Sequence, residues 1–167
     1  MSVTVVELGP RDGLQNEPTS VPAADRVAFV RALAAAGLTR IEAGAFVHPG
    51  RVPQMASSDE VCAVLAADAA LAARGVRLSA IVPNRKGFDR AVAAGVREVA
   101  VFPAVSETCS QRNLNQSVAE ALRAAGDVCA AAQAQAIPVR GYVSTAFGCP
   151  YEGHVPVDRV LRVCEAL

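Results

Sequence analysis

The chain reads as an α/β protein whose sheet is parallel. Apolar, β-branched runs recur along it and alternate with segments of helical periodicity. The links that follow helices are short. "AAGLTRIEAGAF" (Ala35–Phe46) and "AAGVREVAVFPA" (Ala93–Ala104) share one grammar: small residues closing a helix, a glycine, three linking residues, then a strand. The links that follow strands are longer and polar, as in βαβ units.

In chain order, "VTVVEL" (Val3–Leu8) is the first strand and runs into "GPRDG", where turn chemistry begins. Ser20 ahead of Pro22 marks a helix start. That helix puts Phe29, Val30, Leu33, Ala36 and Gly37 on one apolar face, with Arg26 and Arg31 directed away from it. Gly37 suits the left-handed position just past a helix end, and Gly95 repeats it. Arg40–Phe46 is the second strand and Arg77–Val82 the third. Asn84 before "RKGF" starts another helix, and Glu98–Val105 is the fourth strand. Val118, Leu122, Ala125, Cys129 and Ala132 align along the next helix. Val139–Phe147 is the fifth strand, and Val157, Val160, Leu161 and Cys164 form the stripe of the last helix.

Composition narrows the function. At 167 residues the length fits one domain. Sixteen basic residues balance sixteen acidic ones, so no net field favours nucleic acid. Aromatic residues make up only 4%, and they do not alternate with basic ones as in a single-strand binder. No run of about 18 uncharged apolar residues exists, and no basic segment with an apolar stretch opens the chain, so a cytoplasmic protein without a membrane partner is expected. Cys62, Cys109, Cys129, Cys149 and Cys164 are scattered and form no CxxC pair, which argues against a disulfide framework or a zinc site. Most of them are expected to be small buried hydrophobes, and Cys149, in the turn "FGCPYEG", is the candidate to face a pocket.

Parallel βαβ units leave an open doubly wound sheet or a (β/α)8 barrel. No GxGxxG follows the first strand, which counts against a dinucleotide-binding sheet. Polar residues collect after strand ends: Arg11 and Asp12, Glu42, Asn84, Ser106 and Glu107, Ser144 and Thr145. Both sheet types place catalytic groups there, so the clustering locates a cleft without choosing the closure. Taken alone, Arg11 beside Asp12 reads as a surface pair and Glu42 as a solvent-facing strand carboxylate. His48 and His154 lie in loops without metal-ligand spacing.

Five blocks change that reading. "GPRDGLQNE" (Gly9–Glu17), "IEAGAFVHPGRVPQM" (Ile41–Met55), "VPNRKGF" (Val82–Phe88), "SETCSQRNLN" (Ser106–Asn115) and "RGYVSTAFGCPYEG" (Arg140–Gly153) resemble, in order, blocks of the 3-hydroxy-3-methylglutaryl-CoA lyase family. The resemblance implies the N-terminal portion of a single (β/α)8 barrel domain over residues 1–167, with five strand–helix units present. It also implies a carbon–carbon lyase acting on an acyl-CoA thioester: retro-Claisen cleavage to acetoacetate and acetyl-CoA with Mg²⁺ or Mn²⁺. Arg11 would meet the negative charge of the enolate, being permanently cationic and rigidly forked. Asp12 would supply a hard oxygen to the cation, and Glu42 would orient Arg11 or a metal-bound water. Gln15, with Asn16, would bond near the acyl group, whereas Asn113 and Asn115 are expected to hold a loop.

Ala45 stands where the family usually has serine, which removes a hydroxyl from the cleft wall. The family's His-x-His segment, its cysteine on a glycine-rich loop and its late asparagine have no counterpart here. By itself the chain is therefore expected to be inactive or nearly so. The competing expectations are a non-catalytic module that associates with copies of itself through open strand edges, and an isopropylmalate-synthase-like aldolase or acyltransferase, against which the "GCPYEG" block argues.

Overall fold

A computed structural model describes residues 3–167. The strands β1 (Arg40–Ala45), β2 (Arg77–Ile81), β3 (Val99–Val101) and β4 (Val139–Gly141) follow one another in the order β1-β2-β3-β4. The helices are α1 (Ala23–Ala35), α2 (Ser58–Ala66), α3 (Ala69–Ala73), α4 (Arg85–Ala93), α5 (Glu107–Leu114), α6 (Val118–Gln133) and α7 (Val157–Ala166). A π-helical turn at Gly9–Gly13 and a 3-10 turn at Pro53–Met55 complete the elements. The chain divides into two compact units, Met1–Val82 with Lys86–Val99, and Pro83–Arg85 with Ala100–Leu167.

In the first unit β1 and β2 run parallel, pairing Glu42 with Ser79 and then Gly44 with Ala80, so that Ala43 is an extra residue in the ladder. Residues 41–46 are all buried, as expected for a strand covered on both faces. The Val3–Leu8 strand is reduced to one parallel bridge between Glu7 and Ile41, held by Glu7 N–H to Arg40 O (2.9 Å) and Glu42 N–H to Glu7 O (2.9 Å). Val3 and Val5 are exposed and Val6 and Leu8 only half-buried, so the apolar run that predicts a strand there buries too little to hold a long one.

The face of α1 also differs from expectation. Val27, Val30, Ala34 and the whole of Arg26 are buried, while Phe29, Ala36 and Gly37 are exposed. The inward face lies toward Arg26 and Val27 because α1 packs on α2 as well as near the N-terminal turn. Pro22, not Ser20, is the N-cap, with no side-chain bond to the helix. Gly37 (φ 99°) and Gly95 (φ 84°) do adopt the left-handed conformation. A Cβ on Gly95 would stand 2.6 Å from the Ala66 Cβ, so space as well as φ requires glycine there.

The second unit has a small core of Ala104, Val105, Cys109, Cys149, Val155 and Val163, with Val118, Leu122, Val143 and Val160 packed on it. The fourth and fifth strands are shorter than the apolar runs imply. Beyond β3 and β4 the two segments meet through a bridge between Ala104 and Ser144, with Ser144 N–H donating to Pro103 O (2.9 Å) and Val105 N–H to Ser144 O (3.0 Å). Ser117 opens α6 with a full capping box, its Oγ accepting from Glu120 N–H while Glu120 accepts from Ser117 N–H, an arrangement worth about 1 kcal/mol. The stripe expected on α7 is split: Val160 packs on this core, but Val157 is 71% and Leu161 54% exposed, and Cys164 is exposed. Val163 turns inward as well. All five cysteines are free: Cys62, Cys109 and Cys149 are buried, Cys129 is half-buried and Cys164 exposed. Among the described residues no helix is long and apolar enough to cross a membrane.

Candidate active site

The "GPRDG" segment folds as the π-helical turn because Pro10 presets the first turn and Leu8 O collects the N–H groups of Arg11, Asp12 and Gly13. Glu7 Oε1 accepts from Gly9 N–H at 2.6 Å and ties the turn to the strand bridge before it. A Cβ on Gly9 would lie 2.8 Å from that carboxylate, which would have to shift to admit one.

The turn delivers Arg11 to β1. Its side chain is nearly enclosed, and Nε donates to Glu42 Oε1 at 2.6 Å. Glu42 is entirely buried. Arg11 Nη1 donates to Asp12 Oδ1 at 2.6 Å, and the Asp12 side chain remains 55% exposed. The structure thus brings the three side chains together at Glu42, the third residue of β1. Their two bonds engage Nε and Nη1, so the Nη2 edge is the part of the guanidinium fork that neither carboxylate takes. A charged pair this enclosed gains little net stability, because desolvation opposes the attraction, while removing one partner strands the other. What it provides is a cation held in one orientation.

The other expected residues are placed differently. Gln15 is half-buried beyond the turn and takes no part in these bonds. Asn16 is exposed and donates to Asp12 O at 2.7 Å, bracing the turn. Asn115 holds the left-handed cap of α5 (φ 57°), the loop role expected of it, and Asn113 donates to Cys109 Sγ at 3.4 Å. His48 Nδ1 accepts from Gly50 N–H in an exposed loop, and His154 is exposed.

The second unit joins Ser106, Thr145 and Cys149 in one polar knot. Ser106 Oγ accepts from Cys109 N–H (3.1 Å) and from the Cys149 thiol (3.0 Å). Thr145, at φ 61°, turns its Oγ1 to accept from Ser106 N–H. Burial pushes the Cys149 thiol up, but the bonds from Ser106 and from the Tyr151 and Glu152 amides outweigh it and leave the pKa lowered. Cys149 is bonded within its turn and packed into the small core of this unit. Glu152 is pulled down to about 2 by the Thr108 amide first, then by the Ser106 and Thr108 hydroxyls and Arg159.

Two signals were available for residues the sequence reading missed. Arg26 stands four positions before Val30 on the same helix face, and "SS" at Ser57–Ser58 precedes an apolar helix. Both lead to buried groups beside β1: Arg26 Nη2 donates to Ala43 O (3.1 Å), and Ser58 Oγ accepts from Ala45 N–H (3.1 Å).

The HMGL-like family profile matches residues 2–167. The hydroxymethylglutaryl-CoA lyase of Pseudomonas mevalonii is 49% identical over 166 residues, which is 99% of this chain and 54% of that protein. The crystal structure of the Bacillus subtilis HMG-CoA lyase superposes with a TM-score of 0.91 at 39% identity, over 98% of this chain and 53% of that one. An HMG-CoA lyase from Acinetobacter baumannii, solved with coenzyme A and 3-methylmalate, gives 0.89 at 31% identity over 98% and 52%. The chain spans about half the length of the curated relatives it matches. Its α/β architecture, a parallel sheet with helices, is that of the corresponding portion of these (β/α)8 barrels. With its full length covered by the profile, this chain belongs to the HMGL-like family.

Proposed function

We propose that the chain is the N-terminal portion of a single barrel lyase domain, and that it carries the charge-stabilising part of a site for retro-Claisen cleavage of 3-hydroxy-3-methylglutaryl-CoA. In that reaction the 3-hydroxyl loses its proton, the C2–C3 bond breaks, and the released electron pair moves onto the thioester as an enolate. The products are acetoacetate and, after protonation of the enolate carbon, acetyl-CoA. The observation that carries this reading is the Arg11–Glu42 pair. Glu42 holds the Nε side of the guanidinium, which leaves the Nη2 edge to face the enolate oxygen where negative charge develops. A donor fixed in advance costs no reorganisation as the charge appears.

Gln15 is assigned to the acyl group, and Asp12 to a divalent cation as one oxygen ligand. One half-exposed carboxylate bonded to Arg11 does not make a cation site by itself, and among the described residues no three His, Cys, Asp or Glu side chains gather as one. The groups that take the hydroxyl proton and protonate the enolate are not assigned to this chain. The coenzyme A bound in the Acinetobacter relative supports a thioester substrate.

The test is a fusion of this chain to the complementary C-terminal half of the Pseudomonas mevalonii relative, assayed for acetoacetate release with Mg²⁺. The fusion is expected to cleave the thioester, the 167-residue chain alone to stay near background, and Arg11→Met in the fusion to lose roughly a thousandfold, as for loss of one charge-stabilising donor. A folded fusion that condenses acetyl-CoA with a 2-keto acid but cleaves nothing would overturn the assignment. The outward Val157 and Leu161 of α7 favour a second reading, self-association of the isolated chain through that face. A monomer by size-exclusion chromatography at high concentration excludes it.

A further inference from the structure

We propose that Arg26 is a positioning residue for Glu42: with Ser58, it clamps the bulge of β1 from the α1–α2 side and so sets how the Glu42 carboxylate meets Arg11. Arg26 is wholly buried, yet its recorded partners include no carboxylate. Nη1 donates to Ser57 Oγ (3.0 Å) and Gln54 O (3.4 Å), and Nη2 to Ala43 O (3.1 Å) and Met55 Sδ (3.4 Å). Nε is buried with no hydrogen-bond partner. Burial lowers the guanidinium's pKa, with the nearby Cys62 thiol acting in the opposite sense. A buried charge without a counter-ion is costly, and here its bonds converge on two segments: the β1 bulge and the stretch from Gln54 to Ser57.

The bulge is the step at which β1 changes register. Glu42 pairs with Ser79 and the next paired residue is Gly44, so Glu42 is the last side chain before the ladder shifts. Ala43 and Ala45 flank that step, and both are tied to the helical side: Ala43 O to Arg26, and Ala45 N–H to Ser58 Oγ, which in turn donates to Met55 O at 2.8 Å. Between them, a Cβ on Gly44 would stand 2.8 Å from Ser58 Oγ and 3.5 Å from Arg26 Nη2. Because strand side chains alternate with period two, a one-residue slip would carry a side chain to the opposite face. The clamp opposes that slip where it would turn Glu42 away from Arg11. Supporting residues of this kind hold reacting groups to within a fraction of an ångström.

The significance of the clamp rests on Arg11 and Glu42 being reacting groups, but its test reads no turnover, so either idea can fail alone. In the ¹⁵N-labelled chain the Arg11 Nε–H resonance, assigned by its loss in Arg11→Lys, is expected to exchange slowly with solvent because it is bonded to Glu42. Arg26→Met is expected to speed that exchange at least tenfold and move the resonance toward that of a free guanidinium, with the amide resonances of α6 unchanged. Arg26→Lys, which keeps a donor for Ala43 O, is expected to restore part of the protection. Should Arg26→Met not fold, Ser58→Ala carries the same expectation in milder form. An unaltered Arg11 Nε–H resonance in the folded variant, whichever it is, overturns the proposal.

Discussion

Arg11 and Arg26 both bond to β1, one at Glu42 and one at Ala43, both are buried, and their surroundings differ. Arg11 is met by ionised carboxylates at 2.6 Å, whereas Arg26 is met by carbonyls, a hydroxyl and a thioether at 3.0 to 3.4 Å. A charge paired with charge is held by few short bonds and can present its remaining edge to a ligand. A charge solvated by dipoles spends its reach on neutral groups, backbone carbonyls among them, and is suited to bracing a strand. The contrast separates a guanidinium kept for chemistry from one kept for geometry.

Breaking the first pair is expected to have the largest effect. Glu42→Ala leaves Arg11 buried without its Nε partner and should cost about 3–5 kcal/mol by denaturant unfolding. A loss under about 1 kcal/mol would mean the pair does not hold Arg11 in solution. Arg26→Met strands only neutral groups, Ala43 O and Ser57 Oγ among them, so about 1–3 kcal/mol is expected. A loss exceeding that of Glu42→Ala would reverse the ranking of the two arginines. Gly44→Ala tests the clamp from the strand side. Its Cβ would crowd Ser58 Oγ and should cost about 1–3 kcal/mol, partly relieved by Ser58→Gly in the same chain; additive losses would show that the two do not touch. Asp12→Asn touches an exposed side chain and should change stability by less than about 1 kcal/mol.

The smallest effect concerns Glu152. Its folded pKa of about 2 lies below the ordinary 4.5, so its contribution is fully present above about pH 4.5 and is lost as pH falls toward 2. Glu152→Gln should flatten that acid limb of the stability curve, because the loss appears at neutral pH, where the carboxylate is ionised, and fades toward pH 2. An acid limb identical to that of the parent chain would show that the Thr108 amide does not hold this carboxylate.

Much of the first unit was legible in advance. β1 and β2 begin where the apolar runs begin, and the Arg11–Asp12 turn follows the first apolar run, whereas Glu42 lies within β1 rather than at its end. Arg26 was misjudged because a long cation on an amphipathic helix ordinarily faces water. Its burial depends on acceptors 17 to 31 residues away that no local pattern reveals. The α7 stripe held only at Val160, for a related reason. The helix offers two apolar seams, and the neighbours Val155 and Cys149 select the one containing Val163.

The residues alone determined the alternation of strands and helices, the left-handed glycines that close α1 and α4, and the turn that carries Arg11, because these follow from backbone preferences acting over a few residues. Only the tertiary structure decided which charges are enclosed, which face of a helix is dry, and that the bulge at Ala43 is clamped. Burial is set by groups distant in the chain, and a charge stays in the interior only where the assembled fold supplies its partners.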